Sequence, residues 1–307
     1  EGHVRTLIRS FLEEYRDRDV PLSALWAFEY PFYGRFGWAL ANRYAVRECP
    51  PGALSGIAEG ADGGFVRLGP DDHERTANVL AAHGSRYGLS VERTEEWWRE
   101  RVFRDRRADP HVFGWEADDE LRGYLVYTIT PGDEAVLDVS EAAYTDGTAY
   151  RHLLRFLSNH ASQADRVRLY GPVDDPLGDL VEDPASVETT VHPGPSVRLA
   201  DVETALRAVT YPDDVTGSIV LAVGDPVADW NDRAFRLDVD GGAAAVEATT
   251  DSSDAELGVG ALSQLVVGHR TVGELAGAGE LAVGDAEARS LLDAAFPSRE
   301  VFLREKF

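Results

Sequence analysis

The chain is short of several residues whose absence narrows its reading. It has 307 residues with one cysteine, one lysine (Lys306) and no methionine. A single cysteine, Cys49, rules out an intrachain disulfide and predicts an intracellular, cytoplasmic protein; the thiol itself is expected to be a small buried hydrophobe. No apolar run approaches the ~18 residues that a membrane-spanning helix needs, and no signal-peptide pattern is visible. Glu1 at the start, together with the missing methionine, predicts that an N-terminal stretch is absent. No repeat stands out at solenoid periods. Basic residues are also scarce. There are 30 against 54 acidic ones, for a net charge of −24, and 30 − 1 = 29 of them are arginine. Such a surface repels phosphate backbones, so nucleic acid is excluded as a partner. Acid spread along the whole chain predicts a solvated coat suited to high salt, where self-repulsion is screened within ~3 Å at 1 M. The other reading is a surface that attracts cationic substrates.

What is present organises into more than one core, because the length exceeds that of an ordinary single domain. Residues 3–18 place Val4, Leu7, Ile8, Phe11, Leu12 and Tyr15 on one helical face. "PLSALWAF" reads as a buried strand, "YPFYGRFG" as a helical turn stopped by Gly37, and "WALANRYAVREC" as one further strand. "PPGALSGIAEGADGG" (50–64) has the composition of an exposed linker. Beyond it, helices are expected at 71–87, 94–105 and 147–161, with strands in "HVFGWEA", "LRGYLVYTIT", "AVLDVSEAAY" and "RVRLYGP". From Val197 a strand and helix lead into three meandering strands and three short helices. "EVFLREKF" reads as a closing half-buried strand. The expected domains are 1–49, 50–196 and 197–307, in α/β and α+β classes.

Chemistry-bearing candidates are few. His152 and His160 sit eight apart on one helix with no third ligand, so no metal site is expected. Asp174 and Asp175 in "PVDDPL" read as turn and cap residues rather than catalytic carboxylates. Leu262, Leu265, Val266 and Leu275 could line an apolar tunnel or fill an ordinary core. "GHVR" (2–5) opens the first helix, where free backbone N–H groups favour a phosphate. Tyr33 lies among Phe32 and Phe36, with Gly37 and Trp38 following it.

Taken together, "GHVR", "PFYGRFGWA", "VSEAAY", "PVDDPL", "VRLADVETAL" and a terminal phenylalanine resemble the Eis (enhanced intracellular survival) family of GNAT N-acetyltransferases. The resemblance runs over the whole chain. It implies the second half of a catalytic GNAT domain in 1–49, a degenerate GNAT domain in 50–196 and a sterol-carrier-protein-2-like domain in 197–307. It implies acetyl-CoA as co-substrate, with Gly2, His3, Val4 and Arg5 holding its pyrophosphate. Tyr33 would be the general acid, since a phenol titrates near ~10 and is protonated at neutral pH. The terminal carboxylate of Phe307 would be the base. The acceptor would be a primary amine of a small molecule or a lysine side chain, and the assembly a homo-oligomer, a hexamer in the family. Lys306 beside the chain end argues against a polycationic acceptor such as an aminoglycoside. Before the helix at 147–161 there is one glycine, Gly147, and no arginine cluster, so this second unit is expected to be structural. The alternative function is a non-catalytic lipid-binding or scaffold protein.

Overall fold

Helix α1 (Gly2–Asp17) forms where the apolar spacing places it. Its face divides: Leu12 is fully buried, with Ile8 and Tyr15 packed beside it, while Leu7 and Phe11 are 62% and 63% exposed. Strand β1 (Leu22–Leu25), helix α2 (Tyr30–Gly34) and the short strand β2 (Ala39–Leu40) follow. The computed structural model describes residues 2–58, 63–104 and 110–305. It contains two compact units that interleave along the chain: residues up to Asn42 with Pro193–Val301, and Arg43–His192 with Phe302–Glu305.

The stretch 38–49 is not one strand. Ala41 N–H donates to the Pro195 carbonyl at 3.1 Å and the Asn42 carbonyl accepts from Gly194 N–H at 2.8 Å, which ends β2 there. Strand β3 (Arg43–Cys49) belongs to the second unit. That unit holds β4 (Gly64–Arg67), α3 (His73–Gly84), α4 (Glu95–Trp97), β5 (His111–Ala117), β6 (Glu120–Thr130), β7 (Val136–Tyr144), α5 (Gly147–Ser158), β8 (Arg166–Gly171), α6 (Leu177–Leu180) and most of β9 (Glu188–Pro193). Its sheet runs β4-β5-β6-β7-β8-β3-β9. β7 and β8 are parallel, joined through α5, and their pairing ends at Val139↔Leu169 although β7 continues to Tyr144. β3 is antiparallel to β8. A strand that follows the first unit's helices thus completes the second unit's sheet.

The converse exchange builds the first unit. Strand β10 (Ser196–Leu199) lies between β1 and β2, antiparallel to both. The chain then forms α7 (Val202–Ala208), β11 (Gly217–Gly224), β12 (Arg233–Asp240), β13 (Ala243–Thr249), β14 (Ala255–Gly258), α8 (Val259–Val266), α9 (Val272–Gly277), β15 (Leu281–Val283) and α10 (Ala286–Ala295). These strands form a sheet in the order β13-β12-β11-β14-β15. Its core gathers Leu206, Phe235, Leu237, Leu262, Leu265 and Leu275, each contributing ~1.5–3 kcal/mol by its burial.

Other expectations are corrected by packing. The segment expected as an exposed linker starts with a 3₁₀ turn at Pro51–Leu54, and Leu54, Ile57 and Ala58 are buried in the second unit. The helix expected at 94–105 is a short α4, capped by Thr94, that runs into a π-type turn at Trp98–Val102. That turn buries Trp98, while Trp97 stays at the cluster's edge. Val301–Leu303 and Glu305 are buried as expected of the chain's end, yet they pair in no strand. Cys49 is buried in β3, and burial pushes its thiol up to about 11. Among the described residues, no helix is long and apolar enough to cross a membrane.

Candidate active site

Tyr33 is carried on α2, one turn of helix that starts with Pro31 in its first turn and ends against a backbone reversal. The Tyr33 carbonyl accepts from Phe36 N–H at 2.9 Å and from Trp38 N–H at 3.3 Å. Gly37 closes the turn with φ of +91°, and a Cβ there would lie 2.6 Å from Val259 Cγ1. The position therefore requires glycine on two counts, the left-handed backbone and the close approach of α8. The phenol ring packs edge-on against Phe28, Phe32 and Trp38, with centroids 5.4, 5.1 and 6.1 Å away. Such contacts fix the ring plane while leaving its edge open.

Tyr33 lines a cavity of about 360 Å³. Val4, Leu7 and Phe11 of α1 form another wall, with Ser23 of β1 and Trp38 nearby. Two sequence-derived groups thus meet here, since Val4 belongs to the "GHVR" turn. Gly2, His3, Val4 and Arg5 form the exposed first turn of α1. Nothing lies within 4 Å of where a Cβ on Gly2 would sit, so the helix start is open to approach. The Arg5 guanidinium donates to the Pro226 carbonyl. No carboxylate or histidine lines the cavity among the described residues, and the Tyr33 hydroxyl makes no hydrogen bond among them. Phe307 lies outside the described residues.

The corresponding places in the second unit are filled from within. At the start of α5, Asp146 Oδ1 accepts from Thr148 and Ala149 N–H, both at 2.9 Å, and its other oxygen accepts from Arg122 at 2.8 Å. These contacts hold the Asp146 carboxyl below the usual carboxylate range, against the opposing effect of its burial. The amides that would receive a phosphate are already bonded to an anion. Tyr150 donates to both oxygens of Asp175 (2.6 and 2.8 Å), and Asp175 also accepts from Leu177 N–H at 2.9 Å. The N-cap of α6 is Pro176, so Asp175 is a turn residue just before the helix. Burial, then the Asp175 charge, push the Tyr150 phenol well above its ordinary value.

A buried ionic cluster closes the same unit. Arg93 donates to Glu141 at 2.9 and 2.7 Å and to Glu305 at 3.1 and 2.8 Å, and Tyr124 also donates to Glu141. Burial alone would raise the Glu141 carboxyl, but Arg93 and Arg304 outweigh it and bring it to about 2. Arg304 donates to the Ala142 carbonyl at 2.9 Å. Near it, burial followed by Arg304 and Arg86 lowers His83 to about 3, so this imidazole is neutral. His152 stacks on Trp115 with centroids 4.5 Å apart, whereas the His160 ring faces the Tyr127 hydroxyl at 3.1 Å; the two histidines have separate partners. Leu262, Leu265 and Leu275 are packed in the core of the first unit, with Val266 against its edge.

Sequence reasoning missed two features here. One is the Asp146 cap, whose signal was an Asp just before the helix. The other is the buried pair Arg198–Asp225, bonded at 2.7 Å to both carboxylate oxygens, for which no local pattern exists.

Known proteins resemble this chain over nearly its whole length. Residues 1–41 match a family model described as an acetyltransferase (GNAT) domain, residues 89–199 match a second such model, and 202–304 match a sterol carrier protein domain. An uncharacterized N-acetyltransferase of Streptomyces griseus is 29% identical over 96% of this chain and 75% of its own length. The N-acetyltransferase Eis of Mycobacterium tuberculosis is 27% identical over 97% of this chain and 74% of its own. Among solved structures, Eis1 from Mycobacterium abscessus superposes with a TM-score of 0.78 at 26% identity, covering 100% of this chain and 78% of that one. A GCN5-related N-acetyltransferase from Anabaena variabilis shares the fold, with a TM-score of 0.89 at 20% identity over 100% of this chain and 78% of its own. Over nearly its whole length the chain is thus similar to Eis N-acetyltransferases, with GNAT acetyltransferase matches followed by a C-terminal sterol carrier protein match.

Proposed function

We propose that this protein moves the acetyl group of acetyl-CoA to a primary amine, and that the transfer takes place in the first unit. GNAT domains use acetyl-CoA as co-substrate. The observation that carries the placement is that Tyr33 lines the same apolar cavity as the first turns of α1. Gly2, His3, Val4 and Arg5 would hold the pyrophosphate through free amides at a helix start, with Arg5 leaving the Pro226 carbonyl to add its charge. Acetyl-CoA supplies the acetyl group. Tyr33 gives its phenolic proton to the departing thiolate. The aromatic rings around it hold the phenol's orientation toward the cavity. A base is needed to take the proton of the attacking ammonium, and the cavity lining supplies none among the described residues. The terminal carboxylate of Phe307 fills that role in this reading.

The acceptor is a primary amine of a small molecule or of a lysine side chain. Free-thiol release from acetyl-CoA, measured with a panel of monoamines, polyamines and lysine peptides, is the test. Turnover with at least one amine is expected; no thiol release with any of them overturns the proposal. A single glycine added after Phe307 should abolish most turnover in a folded protein, because it moves the carboxylate by ~3.3–3.6 Å. Near-normal kcat in that variant removes Phe307 as the base.

A further inference from the structure

Arg198 is a charged side chain in β10 with no exposure at all, and neither has its partner Asp225. Every guanidinium nitrogen donates: Nη2 to both Asp225 oxygens at 2.7 Å, Nη1 to the Leu199 carbonyl at 2.7 Å and Nε to the Phe36 carbonyl at 2.7 Å. Its face lies 5.4 Å from the centroid of the Trp38 ring. Asp225 is itself held, accepting from Val227 and Ala228 N–H at 2.9 Å and from the Asn231 amide at 3.1 Å.

A buried ion pair of this kind is weak evidence for stability, because well-packed apolar residues often serve a core as well. What the pair does here is directional. Phe36 N–H donates to the Tyr33 carbonyl, and the Phe36 carbonyl is the one that Arg198 takes. The chain of contacts runs from Asp225 through Arg198 and Phe36 to Tyr33. The same turn is pinned again beside it. A Cβ on Gly37 would lie 3.1 Å from Arg198 Nε, the Gly37 carbonyl lies 3.2 Å from where a Cβ on Gly260 would sit, and Gln264 donates to the Leu40 carbonyl at 2.7 Å. Asp225, Gly260 and Gln264 all fall in the segment matched by the sterol carrier protein domain.

We propose that Arg198, held by Asp225, is a positioning residue for Tyr33, and that the sterol-carrier segment serves acetyl transfer as the scaffold of the proton-donor turn. This rests on the reading of Tyr33 as the proton donor. Arg198 touches no reacting atom; it fixes the angle at which the α2 turn presents the phenol.

The test is a double-mutant cycle on the full chain with an accepted amine. Arg198→Lys keeps a charge opposite Asp225 but loses the fork that serves Phe36 and Asp225 together. In the Tyr33 enzyme it should lower kcat by roughly 10–10²-fold, the cost of a misplaced group, with KM for acetyl-CoA within about twofold. In a Tyr33→Phe background the same change should cost nothing further, since there is no phenolic proton left to position. An equal loss in both backgrounds, or none in either, overturns the proposal while the role of Tyr33 stands. If Tyr33→Phe alone leaves kcat intact, the reading of Tyr33 fails and this proposal falls with it. Gly37→Ala presses on the same contact from the other side. It replaces Arg198→Lys in the cycle, with the same expected pattern, if the latter is not recovered folded by circular dichroism.

Discussion

Two helix–strand–short-helix series run through the chain, α1–β1–α2 in one unit and α5–β8–α6 in the other, and they differ at two matching points. At the helix start, the first turn of α1 is open, whereas the amides of α5 are bonded to Asp146. At the short helix, α2 offers Tyr33 to an apolar cavity, whereas α6 has the sequence Leu177-Gly178-Asp179-Leu180 and no phenol. Two buried phenols of the second unit, Tyr124 and Tyr150, are committed to Glu141 and Asp175. The lesson is that the same local order of elements can leave a helix start and a phenol open in one unit and bond both from within in the other.

The sharpest way to break that comparison is to remove one hydroxyl from each unit. Tyr33→Phe should lower kcat by ~10²–10⁴ with little change in the acetyl-CoA KM, as for a positioned general acid. Tyr150→Phe should leave kcat alone but cost about 1–3 kcal/mol in urea unfolding, because Asp175 loses a buried donor. Comparable kinetic losses in both variants would erase the distinction between the units. Next in size is Arg93→Met. It strips Glu141 and Glu305 of their main cation and should destabilise the second unit by about 3–5 kcal/mol, read by calorimetry. A change within about 0.5 kcal/mol would mean that the cluster is idle.

Acid should act on the second unit in two steps. His83 sits at about 3 when folded, below its ordinary value near ~6.5. The unfolded chain therefore takes that proton first, so the stability contributed by neutral His83 is present above ~6.5 and is lost as pH falls toward 3. Glu141, at about 2 when folded, contributes stability that is present above ~4.3 and lost as pH falls toward 2. His83→Phe should flatten the pH dependence of unfolding between ~6.5 and ~4.5 while leaving the steeper loss below; an unchanged slope in the upper window would refute it. Smallest is Asp146→Ala, which should cost roughly 1 kcal/mol as a lost helix cap and leave kcat unaltered. A fall in kcat would place the second unit in the chemistry after all.

Much of this was legible in the sequence, for reasons that differ by residue. The α1 face follows from helical spacing, and the turn at Tyr33–Gly37 from a proline at the start and a glycine that must adopt positive φ. The division of 38–49 between two sheets was not legible, because strand propensity records that a segment is extended and not which partner it pairs with. The Gly- and Ala-rich 50–58 looked exposed by composition, yet Leu54 and Ile57 alone suffice to pull it into a core. Nothing in the local sequence "SVRLAD" marks Arg198 as buried. Its burial depends on Asp225, far along the chain, and on a backbone carbonyl that no sequence pattern marks. The Asp146 cap was readable from an Asp directly before the helix.

The central claim is that one of the two helix starts receives the acyl donor. The direct measurement is a crystal structure grown with coenzyme A. The account predicts pyrophosphate density against the first-turn amides Gly2–Arg5, with the thiol end toward Tyr33, and Asp146 still bonded to Thr148 and Ala149. Pyrophosphate seated at the start of α5, with Asp146 displaced, would contradict it.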